Sequence, residues 1–86
     1  MIKDVSFGSI LREVRLRNKV TLRKHCKNMN ICPGNLSKVE RNHLAPPKST
    51  GDVMRYLTGL DYTDLDLELL KSAALNHHLA KVIARF

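Results

Sequence analysis

Tryptophan is absent from this 86-residue chain, cysteine occurs only twice, and no apolar run approaches the roughly 20 residues that a membrane-spanning helix needs. Each shortage removes a class of protein. Two cysteines, Cys26 and Cys32, cannot build the multi-bridge framework of a small secreted domain, and they read as small apolar residues in a reducing compartment. The opening stretch MIKDVSFGS has no apolar core of the kind a secretory leader carries, so the expected location is cytoplasmic, with no membrane contact. Internal repeats and low-complexity tracts are also missing. No glycine-rich phosphate loop, Ser-His-Asp set or pair of clustered carboxylates is evident, so neither catalysis nor a cofactor is expected.

Metal binding is disfavoured by spacing. His25, Cys26, Cys32 and His43 supply suitable donor atoms, but Cys-x5-Cys without a close Cys-x2-Cys or spaced histidine pair does not match common zinc arrangements. His77 and His78 are adjacent and so point to different sides of a helix.

Acidic residues are scarce where basic ones are common. Residues 1–50 hold eleven Lys/Arg and three Asp/Glu, a net +8, whereas residues 51–86 hold four and five, a net −1. The whole excess behind the formal charge of +7 and the pI near 9.9 therefore belongs to the first part. A basic half joined to a near-neutral, leucine-rich half suggests nucleic acid on one side and protein on the other. Eighty-six residues suffice for one helical core and not for two.

The spacing predicts helices throughout. Phe7, Ile10, Leu11 and Val14 fall at i, i+3, i+4 and i+7 after Ser6 as N-cap, with Arg12, Arg15 and Arg17 mostly off that face and Glu13 four residues before Arg17. Thr21 caps a second helix, about 21–29, which buries Leu22, Cys26 and Met29 and ends at Asn30. A third, about 32–41, starts with Cys32 as N-cap and Pro33 in the first turn. Ile31 and Leu36 brace its start, and Leu36 and Val39 point inward. Asn42 suits a left-handed terminator. NHLAPPK is a connector, since consecutive prolines exclude helix. Ser49 or Thr50 opens a fourth helix that ends near Gly59. From Asp61 onward a last pattern carries acids in its first turn and Lys81 and Arg85 near its end, as one helix or as two broken near Asn76.

Two short helices joined by a tight turn, the second with polar residues outward, have the geometry of a helix-turn-helix. The stretch FGSILREVRLRNKVTLRKHCKNMNICPGNLSKVERNHLAPP resembles the lambda-repressor/Cro-like, or xenobiotic-response-element, family of transcriptional regulators. The resemblance rests on the leading FG..LR..R helix, Thr21-Leu22-Arg23 opening helix two, an isoleucine in the turn, LSKVER, and a basic, proline-containing connector. It departs at His25, where an apolar residue is usual, at Cys32, where Ser or Thr is usual, and at Asn30 and Asn42, where glycine is usual. The resemblance implies a lambda-repressor-like five-helix DNA-binding domain over residues 1–60 with a C-terminal helical extension over 61–86, the third helix entering the major groove of double-stranded DNA.

By position, the resemblance makes Thr21, Arg23, Lys24, Asn42, His43 and Lys48 phosphate contacts and Asn35, Ser37 and Lys38 base readers. Gly34 allows close approach, and Arg41 lies outward beside them. Glu40 is expected to be structural or in a surface ion pair, not on DNA. In the C-terminal part, Leu75, Leu79, Val82, Ile83 and Phe86 form an apolar stripe continuing one begun by Leu65, Leu69 and Leu70. Residues 65–74 are expected to pack on the core, and the last turns to form a homodimer seam. The expected function is repression from a palindromic operator; the other reading is an antitoxin whose C-terminal helix binds a cognate toxin.

Overall fold

The computed structural model describes residues 6–83, and their side chains as far as residue 80. These residues form α1 (Phe7–Arg17), α2 (Leu22–Met29), α3 (Pro33–Glu40), α4 (Thr50–Arg55) and α5 (Asp64–Ile83), with no strand among them. The protein is an all-α, five-helix domain.

Local chemistry starts most of the helices. Ser6, Thr21 and Ser49 are extended N-caps whose hydroxyls accept from the backbone N–H of Ser9, Lys24 and Asp52, satisfying donors that the helix itself cannot. At α5, Thr63 and Asp66 bond reciprocally: the Asp66 N–H donates to Thr63 Oγ1 at 3.1 Å, and the Thr63 N–H to Asp66 Oδ2 at 2.9 Å. This is a capping box built with aspartate. Asn30 and Asn42 adopt left-handed φ values of 57° and 62° and close their helices in the role usual for glycine.

The core gathers Phe7, Ile10, Leu11 and Val14 from α1, Cys26 and Met29 from α2, Leu36 and Val39 from α3, and Val53, Leu57 and Leu60 from the α4 region. Leu70 and Ala74 of α5 complete it, so the C-terminal segment seals the same core. The Phe7 and Tyr56 rings meet edge to face, with centroids 5.6 Å apart. Asn18 ties α1 to the start of the last segment. Its amide donates to the Asp61 carbonyl at 2.9 Å and accepts from the Asp61 N–H at 2.8 Å.

Three expectations are corrected. Arg15 is buried rather than turned outward, because it lies four residues after Leu11 and one after Val14 and shares their inner side. Arg17 bonds Asp66 of α5, and no bond to Glu13 forms. Among the described side chains of α5, Leu70 and Ala74 are the core residues, with Leu67 and Ala73 partly buried; Leu65 and Leu69 are exposed. The helix is continuous through Asn76. The side chains of Lys81, Val82 and Ile83, and Arg85 and Phe86 altogether, lie outside the described residues.

Candidate nucleic-acid interface

α2 and α3 are joined by only Asn30, Ile31 and Cys32. The Ile31 N–H returns to the Cys26 carbonyl at 3.0 Å, and half-buried Ile31 packs against the core. The inner sides of the pair are filled by His25, Cys26, Met29, Leu36, Val39 and Glu40. What remains outside is polar and basic.

The first turn of α3 is bare. Cys32 makes no side-chain cap bond, and a Cβ built on exposed Gly34 would come no closer to a neighbour than 3.8 Å, from Cys32 Sγ. Pro33 removes one N–H that the first turn could not have used. A flat anionic surface could therefore reach the backbone of this turn unobstructed.

Of the sequence-derived contact residues, Thr21, Arg23, Lys24, Gly34, Asn35, Lys38, Arg41, His43 and Lys48 are exposed, and Ser37 is half-buried. Thr21 combines exposure with its capping bond to Lys24. His43 offers only its side chain, since its N–H bonds the Lys38 carbonyl at 2.7 Å. Asn42 is different. Its N–H bonds the Val39 carbonyl, its Oδ1 accepts from the Gly8 N–H at 3.1 Å, and its Nδ2 donates to Ser6 Oγ at 2.8 Å. Asn42 is exposed like the others, and these bonds engage both ends of its amide, so that it clamps the end of α3 to the start of α1. The clamp works because Gly8 has no side chain; a Cβ there would lie 2.3 Å from the Val39 carbonyl oxygen.

One acid punctuates this region. Between Thr21 and Thr50 the only carboxylate is Glu40, and it is buried. Arg15 holds it through two parallel bonds, Nε to Oε2 at 2.7 Å and Nη2 to Oε1 at 2.9 Å, while Nη1 donates to the Val20 carbonyl at 2.9 Å. Glu40 is thus structural, as expected, but in a buried pair and not a surface one. Every charged side chain left exposed from Thr21 to Thr50 is a cation: Arg23, Lys24, Lys27, Lys38, Arg41 and Lys48. Within that stretch no exposed carboxylate offsets them; at its edge, exposed Asp52 and Arg55 of α4 line a pocket with Ile31 and Pro47.

His25 sits beneath α2, fully buried, with Nε2 2.8 Å from the Tyr56 carbonyl oxygen and Nδ1 without a partner. A carbonyl only accepts, so Nε2–H must be the donor, and burial disfavours a second proton on Nδ1. Burial lowers its pKa from 6.5, against the raising effects of the Tyr56 bond and Glu40, with Arg15 adding to the lowering. Unfolded chains then bind a proton that the folded protein refuses, so folding stability should decline as pH falls below about 6.5, by at most about 1.4 kcal/mol per pH unit. Denaturant melts at pH 7.5 and 5.5 should show that loss, and His25→Met should reduce it; an identical pH dependence in the variant would remove His25 as its source. Burial also pushes the Cys26 thiol up, helped by Glu40, while Cys32 is exposed. Among the described residues no three of His, Cys, Asp and Glu are grouped to hold a metal ion. None of the described helices is long and apolar enough to cross a membrane.

Comparison with protein-family models, curated proteins and solved structures gives no match. The functional reading therefore depends on the residues themselves. Two features escaped sequence reasoning: the Arg15–Glu40 pair and the Asn42–Gly8 clamp. The first left a trace, since Arg15 and Glu40 each fall four residues after a core leucine. The second left none beyond a glycine near the start of α1.

Proposed function

We propose that this chain is a sequence-specific DNA-binding regulator of the lambda-repressor/Cro-like helix-turn-helix type, a cytoplasmic repressor that occupies a palindromic operator as a homodimer. The observation that carries the reading is the all-cationic exposed surface of the α2–α3 region and its connector, produced by burying the region's one carboxylate. Phosphates would be held by Arg23, Lys24, Arg41, Lys48 and the side chain of His43. Asn35, Ser37 and Lys38, facing out from α3 after a bare first turn, would read base edges, with lysine suited to guanine O6 and N7 and asparagine to adenine. So few readers leave a large share of specificity to DNA shape.

Selection of bound fragments from random duplexes should enrich an approximate palindrome with half-sites about 34 Å apart. Lys38→Ala should then lose discrimination among half-site variants by about tenfold or more while changing affinity for random DNA little. Recovery of unenriched sequence, or equal losses on specific and random DNA, would count against base reading. The exposed leucines Leu75 and Leu79 also fit the second reading, an antitoxin that presents α5 to a toxin, and self-association without DNA separates the two.

A further inference from the structure

Between α4 and the middle of α5 lies a groove with an apolar floor. Lys71, Ala74, Leu75 and His78 fall at i, i+3, i+4 and i+7, so one stripe of α5 lines it. Val53 of α4 and Ala74, both buried, form the floor; Leu75, 59% exposed, stands as an apolar wall, and Lys48 enters from the connector. The connector is held at this place by His78, whose Nε2–H donates to the carbonyl of buried Pro46 at 2.9 Å. The space is about 350 Å³, within the range of small-molecule sites. At roughly 30 Å³ for a water-sized group, it admits on the order of a dozen non-hydrogen atoms.

The chemistry of the lining selects the occupant. Lysines from two separate elements reach the groove, and among the described residues no carboxylate lines it. Lys71 has a partner, Glu68 at 3.2 Å, but that pair is open to solvent and holds its lysine weakly. Lys48 makes no ion pair among the described residues. Asp52 and Arg55 face the pocket beside Ile31 and Pro47 instead. A neutral apolar molecule would leave both ammonium groups unused, and a bare inorganic anion would leave Val53, Ala74 and Leu75 in water. A carboxylate at the end of an aliphatic chain answers both. We infer that this groove binds a medium-chain aliphatic carboxylate, its chain laid on Val53, Ala74 and Leu75 and its headgroup between Lys48 and Lys71. That site does not depend on DNA contact. Its regulatory use rests on the proposed function, in which Lys48 also holds a phosphate: a carboxylate at Lys48 competes with DNA for that cation and acts as an inducer.

The test titrates sodium octanoate into the isotope-labelled full chain, without DNA, and follows the backbone amides by NMR. Saturable shifts with a Kd below about 1 mM should centre on Val53, Ala74 and Leu75. Hexanoate, two methylenes shorter, should bind about five- to fifteenfold more weakly. Lys48→Gln combined with Lys71→Gln should weaken octanoate by about tenfold and leave binding of octan-1-ol unchanged, whereas Leu75→Gln should weaken both. The three side chains are not buried, and circular dichroism checks that each variant folds. No saturable shift up to about 5 mM, or shifts centred on Leu65 and Leu69, would overturn the site. Equal losses for acid and alcohol in the lysine variant would overturn the headgroup assignment. Shifts at the same amides that grow with protein concentration before octanoate is added would mean that a second copy covers the groove, and would overturn it too. With a labelled duplex at 0.1 M salt, saturating octanoate should lower affinity by up to about eightfold, the worth of one phosphate contact; an unmoved affinity would overturn the inducer role. A chain that binds octanoate and no duplex would sink the DNA reading and leave the groove standing.

Discussion

Replacing Arg23, Lys24, Arg41 and Lys48 together by glutamine should lower affinity for any DNA duplex by about 10³- to 10⁴-fold at 0.1 M salt. Each phosphate neutralised releases condensed counterions, so the slope of log affinity against log salt changes by about 0.9 per contact. Four contacts should flatten it by about 3.6, and at 0.1 M each is then worth roughly a factor of eight. The four side chains are exposed, and glutamine keeps their helix propensity and much of their stem, so folding should be preserved. Fluorescence anisotropy with a labelled duplex from 50 to 400 mM salt measures the slope directly. Lys71→Gln, on α5 and ion-paired with Glu68, serves as the comparison and should change the slope by well under one unit. An unchanged slope in the four-residue variant would mean that α2 and α3 do not face the DNA backbone, and the proposed function would fail with it.

The boundaries of α1 to α3 and the start of α4 were legible because their signals are local, whereas α4 ends at Arg55 and a turn, not helix, carries the chain to Gly59. A cap hydroxyl at Ser6, Thr21 or Ser49, a proline in a first turn, and asparagine at a left-handed stop each act within four residues of chain. The same locality explains the misplacements. Arg15 is a cation, and its hydrophilicity argued for an outer position; what holds it inside is Glu40, 25 residues away, which no window on α1 contains. Asn42 fits a helix stop by backbone preference, yet its side-chain bonds to Ser6 and Gly8 depend on how α1 crosses α3. Leu65, Leu69 and Leu70 are nearly interchangeable by composition, and only the docking angle of α5 on α1 and α4 decides that Leu70 goes in and the others stay out. For the candidate interface, the sequence supplied the cations and the helix pair. It could not supply the removal of Glu40 from the surface, on which the uniform sign of that surface depends.

Glu40→Met alone should destabilise the fold by about 3–5 kcal/mol, because it leaves the Arg15 guanidinium buried with only the Val20 carbonyl to satisfy it. For a domain of this size that is a drop in Tm of roughly 20 °C, comparable to its whole expected margin of stability. Arg15→Met should cost about as much, by stranding the Glu40 carboxylate. The double variant Arg15→Met/Glu40→Met should recover most of the loss, since replacing both members of a buried pair by apolar groups of similar volume is often neutral. Thermal melts of the four proteins form a double-mutant cycle, and a coupling energy under about 1 kcal/mol would show that the pair is not a unit. The double variant also separates stability from recognition. If Glu40 only fixes α3 against α1, a folded double variant should keep both its salt slope and its discrimination among half-site variants. If discrimination fell while the fold held, Glu40 would have to reach the bases, and the claim that its burial leaves an all-cationic reading surface would be wrong.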